Sequence, residues 1–310
     1  MSDGVEAAAA ILAPVVGDRL IRGQPLAPLT TFRIGGPAAL YLEPDRDDDL
    51  LAAGAAIRAS DIPFVVIGKG SNVLVADRGF PGLVLRLGRG YRWAARDGDR
   101  LSAGGAMPLP ALAGVALRHG LGGLEFGVAI PGTLGGGVRM NAGAHGHELA
   151  EVVEAVDVVR LLAGSIDRVR GTDAGFTYRR SDLGEDAVVT VATTKLIARD
   201  PRAIRTAMDE ARAWRRETQP LAEPNCGSVF KNPPADAAAR LIEAAGAKGR
   251  RVGGAQVSIK HANFVVAGKG ATADDVWELI RQVRALVLSD SGIDLEPEVQ
   301  VVGELGDGGS

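Results

Sequence analysis

Apolar positions recur with two periods along the chain, one typical of strands and one of helices. Tyr41-Leu42-Glu43-Pro44, Phe64-Val65-Val66-Ile67, Val73-Leu74-Val75 and Leu83-Val84-Leu85 are short apolar runs that predict strands. Between the first two, Asp47 to Ala59 predicts a helix whose first turn is acidic, where the helix dipole favours negative charge. Residues 1–30 are loosely patterned and predict only a short helix and a connection. From about 90 to 200, strand-length runs dominate: Val152 to Leu162, Val169 to Gly171, Gly175 to Tyr178 and Val188 to Leu196, separated by turn signals. Leu109 to His119 is the main helix candidate there.

The period changes at Asp200-Pro201, a good N-cap followed by a good first helical residue. Ile204, Ala207, Met208, Ala211 and Trp214 then follow helical spacing, and Pro220 and Pro224 end the helix. A second helix is expected over Ala235 to Ala245, between Pro234 and Gly246. A third starts at a capping box, Thr272 with Asp275, carries Val276, Leu279, Ile280, Val283, Leu286 and Val287 on one face, and closes at Gly292. Leu295 to Val302 reads as a last strand, with Leu295, Val299 and Val301 on one face and Glu296, Glu298 and Gln300 on the other. The pattern is α+β, with a domain boundary expected near residue 200.

A chain of 310 residues suits two or three domains, and 46% hydrophobic with 24% charged residues is ordinary for a globular protein. The net charge of −3 and the absence of a basic stripe argue against nucleic acid as a partner. One cysteine, Cys226, excludes an internal disulfide, and four scattered histidines give no metal site. Asp3 and Glu6 precede the apolar run Ala7 to Val16, which is unlike a signal peptide, and no stretch is long enough to cross a bilayer. A cytoplasmic protein with no membrane partner is expected.

Glycine changes the picture more: there are 42, and they cluster. Clusters mean tight turns or close approach of backbone to a ligand. Gly68-Lys69-Gly70-Ser71-Asn72 follows a strand and can turn successive N–H groups toward an anion, although a simple β-turn explains it equally well. Ile130-Pro131-Gly132-Thr133-Leu134-Gly135-Gly136-Gly137, followed by Asn141-Ala142-Gly143, has more glycine than a turn needs. Tyr178-Arg179-Arg180-Ser181 ends a predicted strand, so its arginines should point to opposite faces; one could grip a carboxylate bidentately, but two surface arginines explain the segment better on pattern alone. Ser228, in Asn225-Cys226-Gly227-Ser228-Val229-Phe230-Lys231-Asn232-Pro233, has no histidine near it in sequence and does not fit a nucleophile elbow. A proton donor or a turn residue are the alternatives there. Glu298 lies on a strand face that a solvated surface would also explain.

Six segments in order resemble one family: Leu29-Thr30-Thr31-Phe32-Arg33-Ile34-Gly35-Gly36, Gly68 to Asn72, Ile130 to Thr133, Tyr178 to Ser181, Gly227 to Pro233, and Leu295-Glu296-Pro297-Glu298-Val299. With Gly253-Gly254-Ala255-Gln256-Val257-Ser258 and His261-Ala262-Asn263-Phe264, they are similar to the UDP-N-acetylenolpyruvoylglucosamine reductases of bacterial peptidoglycan synthesis, over about residues 28–304. The short interval between Arg179 and Ser228 resembles the short, type II form.

The resemblance implies an FAD domain of the vanillyl-alcohol-oxidase (PCMH) type over 1–200, in subdomains of about 1–88 and 89–200. A smaller α+β substrate domain would follow over 201–304, then a tail over 305–310. It implies FAD and NADPH as cofactors, no metal, a nucleotide-sugar substrate and a monomer. NADPH would reduce FAD, the nicotinamide would leave, and the flavin would pass hydride to the enolpyruvyl methylene carbon. By resemblance Ser228 protonates the adjacent carbon, while Arg179 and Glu298 meet its carboxylate, Glu298 as a buried acid with a raised pKa. Gly68, Lys69, Gly70, Ser71, Asn72, Ile130, Pro131, Gly132, Thr133 and Gly136 would line FAD. Tyr178, Lys231, Asn232, Gln256 and His261 would bind substrate. Three positions depart from the family pattern: Val128-Ala129, Cys226 and Ala267. A rival reading is an FAD oxidase of the same fold type, and another is a nucleotide-sugar binder that has lost its flavin.

Overall fold

The computed structural model describes residues 3–306. Among these residues seven α-helices run in chain order: α1 (Asp3–Val16), α2 (Asp47–Ser60), α3 (Leu109–Arg118), α4 (Leu134–Arg139), α5 (Pro201–Thr218), α6 (Ala238–Ala244) and α7 (Ala273–Ser291). The chain forms two compact units. The first holds the residues up to Arg22, Ala39–Lys69 and Gly82–Trp214; the second holds Gly23–Ala38, Gly70–Pro81 and the chain from Arg215 onward.

The first unit centres on a five-stranded antiparallel sheet, ordered Ser165–Arg170, Val153–Arg160, Ala187–Lys195, Arg100–Gly104, Ala94–Asp97. Its central strand, Ala187–Lys195, is buried almost throughout. Leu109, Leu112 and Ala116 of α3 and Leu134 and Val138 of α4 share a core with Leu101, Val156 and Val189 of that sheet. A second core joins α1 and α2 to Leu40, Leu42, Leu83 and Leu85. Phe64–Val66 there pairs in parallel with Leu83, Val84 and Leu85. The acidic first turn of α2 does more than meet the dipole. Asp49 is fully buried and takes a bidentate pair from Arg19 together with the Asp45 N–H, at 3.0 Å.

In the second unit α6 and α7 cover a three-stranded antiparallel sheet, Arg251–Val252, Ala255–Val257 and Val265–Ala267. Leu241, Ile242, Val276, Leu279, Ile280, Val283 and Val287 close the core with Phe32, Leu74, Phe230 and Leu295. Fully burying one such side chain contributes about 1.5–3 kcal/mol. The capping box at Thr272 and Asp275 forms as the sequence predicts, and Gly292 takes the left-handed C-cap, φ 72°. Asp77 adds a second anchor, its carboxylate accepting from the Ala273 N–H at 2.9 Å. Val73–Val75 pairs in parallel with Gln300–Val302.

Several expectations need correction. Leu20–Pro25 is a strand, missed because its exposed polar residues show no alternation. No strand forms over Gly175 to Tyr178, where the chain makes a tight turn instead. The second C-terminal helix starts at Ala238 rather than Ala235, since Ala235 is left-handed at φ 64°. The last strand is regular only from Gln300, and its alternation slips: Val301 is 38% exposed and Val302 is buried. Of the expected tail, Leu305 packs on the core and the Gly306 N–H reaches Asp274 at 2.8 Å. Residues 307–310 lie outside the described residues.

Candidate active site

Two of the glycine-rich segments meet in the first unit. A Cβ at Gly68 would lie 2.6 Å from Thr133 Oγ1, so only glycine lets the loop after Phe64–Val66 approach the Ile130–Thr133 segment. Thr133 is also the N-cap of α4, its hydroxyl accepting from the Gly136 N–H at 3.4 Å. Not every glycine of this run serves a ligand. Cβ atoms at Gly135 and Gly137 would press on Val189 O at 3.0 Å and on the Leu109 side chain at 2.8 Å, so α4 needs both to reach the sheet. The Leu134 and Gly135 N–H groups are already bonded to Met107 O and Gly105 O, at 2.8 and 2.9 Å. Gly136 is the exposed member of the run, and Lys69 is exposed too. Ile130, Pro131, Gly132 and Thr133 are each half-buried. A bare, side-chain-poor cradle of this kind fits a flat cofactor laid along main chain.

Arg179 sits on a turn, not on a strand face. The Thr177 N–H donates to Arg180 O at 2.9 Å and the Arg180 N–H returns to Thr177 O at 3.1 Å, leaving Tyr178 and Arg179 as the two central residues. Arg179 has φ 58°, at a position where such a turn favours glycine. Conformations of this kind cost roughly 1–3 kcal/mol and persist only where their surroundings enforce them. The enforcement is visible. Asn141 is fully buried; its Nδ2 donates to Thr177 O at 3.0 Å and its Oδ1 accepts from the Ala150 N–H at 2.9 Å. The Ser181 hydroxyl and N–H both donate to Arg139 O, at 2.9 and 3.1 Å. The Arg179 guanidinium lies 4.7 Å above the Tyr178 ring and donates to Gly143 O at 3.4 Å. The Tyr178 ring is 46% exposed, and Arg180 points to solvent.

Ser228 and Glu298 lie in the second unit on neighbouring extended segments. Ser228 bridges to Phe264 on one side, and Phe230 bridges to Pro297 on the other. The Glu298 N–H donates to Val229 O at 2.8 Å. Asn72, expected to line the cofactor, also holds Glu298: its Nδ2 donates to Glu298 O at 3.1 Å, and its carbonyl accepts from the Gln300 N–H at 3.0 Å. Gly70 and Ser71 belong to this unit as well, and Gly70 is left-handed at φ 66°. Glu298 is half-buried rather than buried. Ser228 is half-buried too, and it follows Gly227, left-handed at φ 83°, whose N–H is taken by Asn225 Oδ1 at 2.9 Å.

The expected substrate residues of this unit already have protein partners. Lys231 pairs with Glu296 at 2.7 Å. Asn232 caps α6, its Oδ1 accepting from the Ala238 N–H at 3.0 Å. Gln256 accepts from Arg251 at 2.9 Å and donates to Gly249 O at 3.2 Å. His261 Nδ1 accepts from the Asn263 N–H at 3.3 Å, and its ring stands edge-on to Phe264. Burial and the charge of Lys248 lower the His261 pKa, which keeps the ring neutral.

The three departures have structural accounts. Val128 and Ala129 are buried against Ile204, Met208 and Ala211 of α5, so they are packing residues. Cys226 is fully buried in the core, and burial together with the negative charge of Glu298 pushes its thiol pKa up. Ala267 is buried with its N–H on Pro224 O, at 2.9 Å. No helix among the described residues is long and apolar enough to cross a membrane, and no cluster of metal-ligating side chains occurs among them.

Known proteins bear on this site directly. A family model described as the C-terminal domain of UDP-N-acetylenolpyruvoylglucosamine reductase matches residues 219–302, and one described as an FAD binding domain matches 38–170. A UDP-N-acetylenolpyruvoylglucosamine reductase of Heliobacterium modesticaldum is 48% identical over 291 residues, 92% of each chain. One of Bacillus velezensis is 38% identical over 287 residues, covering 92% of this chain and 94% of the other. Among solved structures, the crystal structure of UDP-N-acetylenolpyruvylglucosamine reductase from Thermus caldophilus superposes with a TM-score of 0.79 at 36% identity, over 92% of this chain and 98% of that one.

Proposed function

The chain belongs to the UDP-N-acetylenolpyruvoylglucosamine reductase family, and on that premise we propose how its own residues divide the reaction. The reaction is the NADPH-dependent reduction of UDP-N-acetylglucosamine enolpyruvate to UDP-N-acetylmuramate, a step of peptidoglycan synthesis that serves cell-wall growth, cell shape and division. FAD, when bound, supplies the hydride transfer from NADPH to the enolpyruvyl methylene carbon. Gly68, Lys69 and the Ile130–Thr133 segment with Gly136 hold that cofactor along bare main chain, and Gly70, Ser71 and Asn72 continue the same loop.

Hydride arriving at the methylene carbon leaves the adjacent carbon carbanionic, with charge spread into the substrate carboxylate. Arg179 donates two hydrogen bonds to that carboxylate, and fixed donors of this kind are worth most where charge develops. Glu298 assists only in its protonated form, as a hydrogen-bond donor, because two carboxylates repel. The Ser228 hydroxyl gives its proton to the carbanionic carbon and recovers one from water. Lys231 exchanges its exposed partner Glu296 for a phosphate of the nucleotide. Tyr178, Asn232, Gln256 and the neutral His261 complete the substrate contacts.

The observation that carries this reading is the strained Arg179 turn, held by a fully buried Asn141. Strained residues of this kind cluster at active sites, ligand clamps and switch regions. We further propose that 1–200 serve FAD and 201–304 the substrate, and that the enzyme works as a cytoplasmic monomer. The test follows the flavin absorbance without oxygen. NADPH should bleach it, and only the enolpyruvyl UDP-sugar should restore it. A flavin that recovers with oxygen but ignores the sugar would make this an oxidase instead.

A further inference from the structure

Ser228 meets Phe264 through an isolated β-bridge rather than a regular strand, so only a short backbone ladder supports it. One side chain adds to that ladder. Asn263 is buried, 3% exposed, on the segment that faces Ser228. Its Oδ1 accepts from the Phe230 N–H at 3.0 Å and its Nδ2 donates to Phe230 O at 2.8 Å. Its own carbonyl accepts from the Val229 N–H at 2.9 Å. Three hydrogen bonds from one residue therefore fix the two residues that follow Ser228. Upstream, Asn225 fixes Gly227. Ser228 is held between these two clamps, and of the two Asn263 is the buried one.

We propose that Asn263 is a positioning residue for proton delivery: it touches no substrate and acts on Ser228 through the backbone of Val229 and Phe230. The inference rests on the reading of Ser228 as the proton donor. An amide is suited to the task because it offers one donor and one acceptor in a fixed plane, matching the N–H and C=O of a single extended residue. Removing it leaves both Phe230 groups buried and unpaired, and the segment regains those bonds only by shifting. A shift of about 1 Å at a reacting group costs on the order of 100-fold in rate.

The experiment separates the two half-reactions in rapid-mixing measurements on the FAD-loaded enzyme. Flavin reduction by NADPH delivers no proton to a substrate carbon, so Asn263→Ala should leave it unchanged. Flavin reoxidation by the enolpyruvyl sugar should slow by about 10- to 100-fold, with a larger solvent deuterium isotope effect as proton delivery limits the rate. In a double-mutant cycle, Asn263→Ala should add no further loss in the Ser228→Ala background. Should Asn263→Ala fail to fold, Asn263→Asp enters the cycle in its place, since it keeps the acceptor for the Phe230 N–H. An equal slowing of both half-reactions, or additive losses in the cycle, would overturn the positioning role. Normal reoxidation by Ser228→Ala itself would instead remove Ser228 as the donor, and so mark the failure of the underlying reading.

Discussion

Gly68→Ala is a substitution of one methyl group whose effect the geometry sets. The new Cβ would stand 2.6 Å from Thr133 Oγ1 and 3.7 Å from Thr133 Cβ. Only the hydroxyl is in conflict, and it must give way by more than half an ångström to reach ordinary contact. It can rotate off the α4 N-cap, which costs about 1 kcal/mol. Otherwise the two loops part, an overpacking cost of roughly 1–3 kcal/mol. If FAD spans the two segments, as proposed above, it must bind with them close together and the cost falls on binding. At 1.4 kcal/mol per decade, a cost of about 1–2 kcal/mol weakens FAD affinity about 5- to 30-fold. Titrating FAD into the apoprotein and following flavin fluorescence measures it. Thr133→Ala is the control, because it removes Oγ1 and leaves only a normal contact at Cβ. In that background Gly68→Ala should cost almost nothing. Wild-type affinity for Gly68→Ala, or the same penalty in both backgrounds, would refute the reasoning.

Other outcomes follow from groups already described. Burial alone would raise the Asp49 pKa, but the Arg19 pair, the Asp45 N–H and Arg46 outweigh it and hold the carboxyl at about 2, against an ordinary 3.8. A lowered folded-state pKa means stability that is present above pH 4 and lost as pH falls toward 2, on the order of 2–3 kcal/mol in all. Urea midpoints between neutral and acid pH should show that loss in wild type and a flatter profile in Asp49→Asn, which starts out less stable because Arg19 loses its partner. The Cys226 thiol, buried and pushed up in pKa, should resist alkylation in the folded chain and react once denaturant is added; labelling followed by mass measurement decides it. Ser228→Ala should lower turnover by roughly 10²–10⁴-fold with flavin reduction by NADPH intact. Arg179→Lys should also fail to restore turnover, since an ammonium cannot form the bidentate fork; turnover within about twofold of wild type would exclude the carboxylate role.

The long periodic elements were legible in sequence because tertiary context had little to override. The acidic start of α2, the Asp200-Pro201 entry to α5 and the capping box of α7 each carry a local physical cause. The errors fall where distant residues impose the conformation. Nothing in Thr177-Tyr178-Arg179-Arg180 asks for a left-handed residue; Asn141 and Arg139, some 36 and 42 positions away, hold that turn and the Ser181 beside it. The bond from the Asn72 side chain to a residue 226 positions later is likewise invisible in the sequence around it. Asn141, Asn263 and Asn72 share a signal that was available, a polar amide set close to apolar runs, but sequence alone cannot say which backbone each amide will hold. The candidate residues themselves came from resemblance, because serine, arginine and glutamate at these spacings are individually unremarkable.

The parallel pairing of Val73–Val75 with Gln300–Val302 also bears on how the enzyme is made. The first strand leaves the ribosome about 225 residues before its partner (300 minus 75). At about 5–20 residues per second that is a wait of roughly 10–45 seconds, with Leu74 lacking the core that will cover it. Glu298 comes after both of its backbone partners, Asn72 and Val229, so those contacts form only once residue 298 has been made. A nascent chain cut short before residue 298 would lack Glu298 and leave the edge of Val73–Val75 open to a wrong partner. Chaperone demand and sensitivity to premature termination should therefore persist until residues 300–302 have been made.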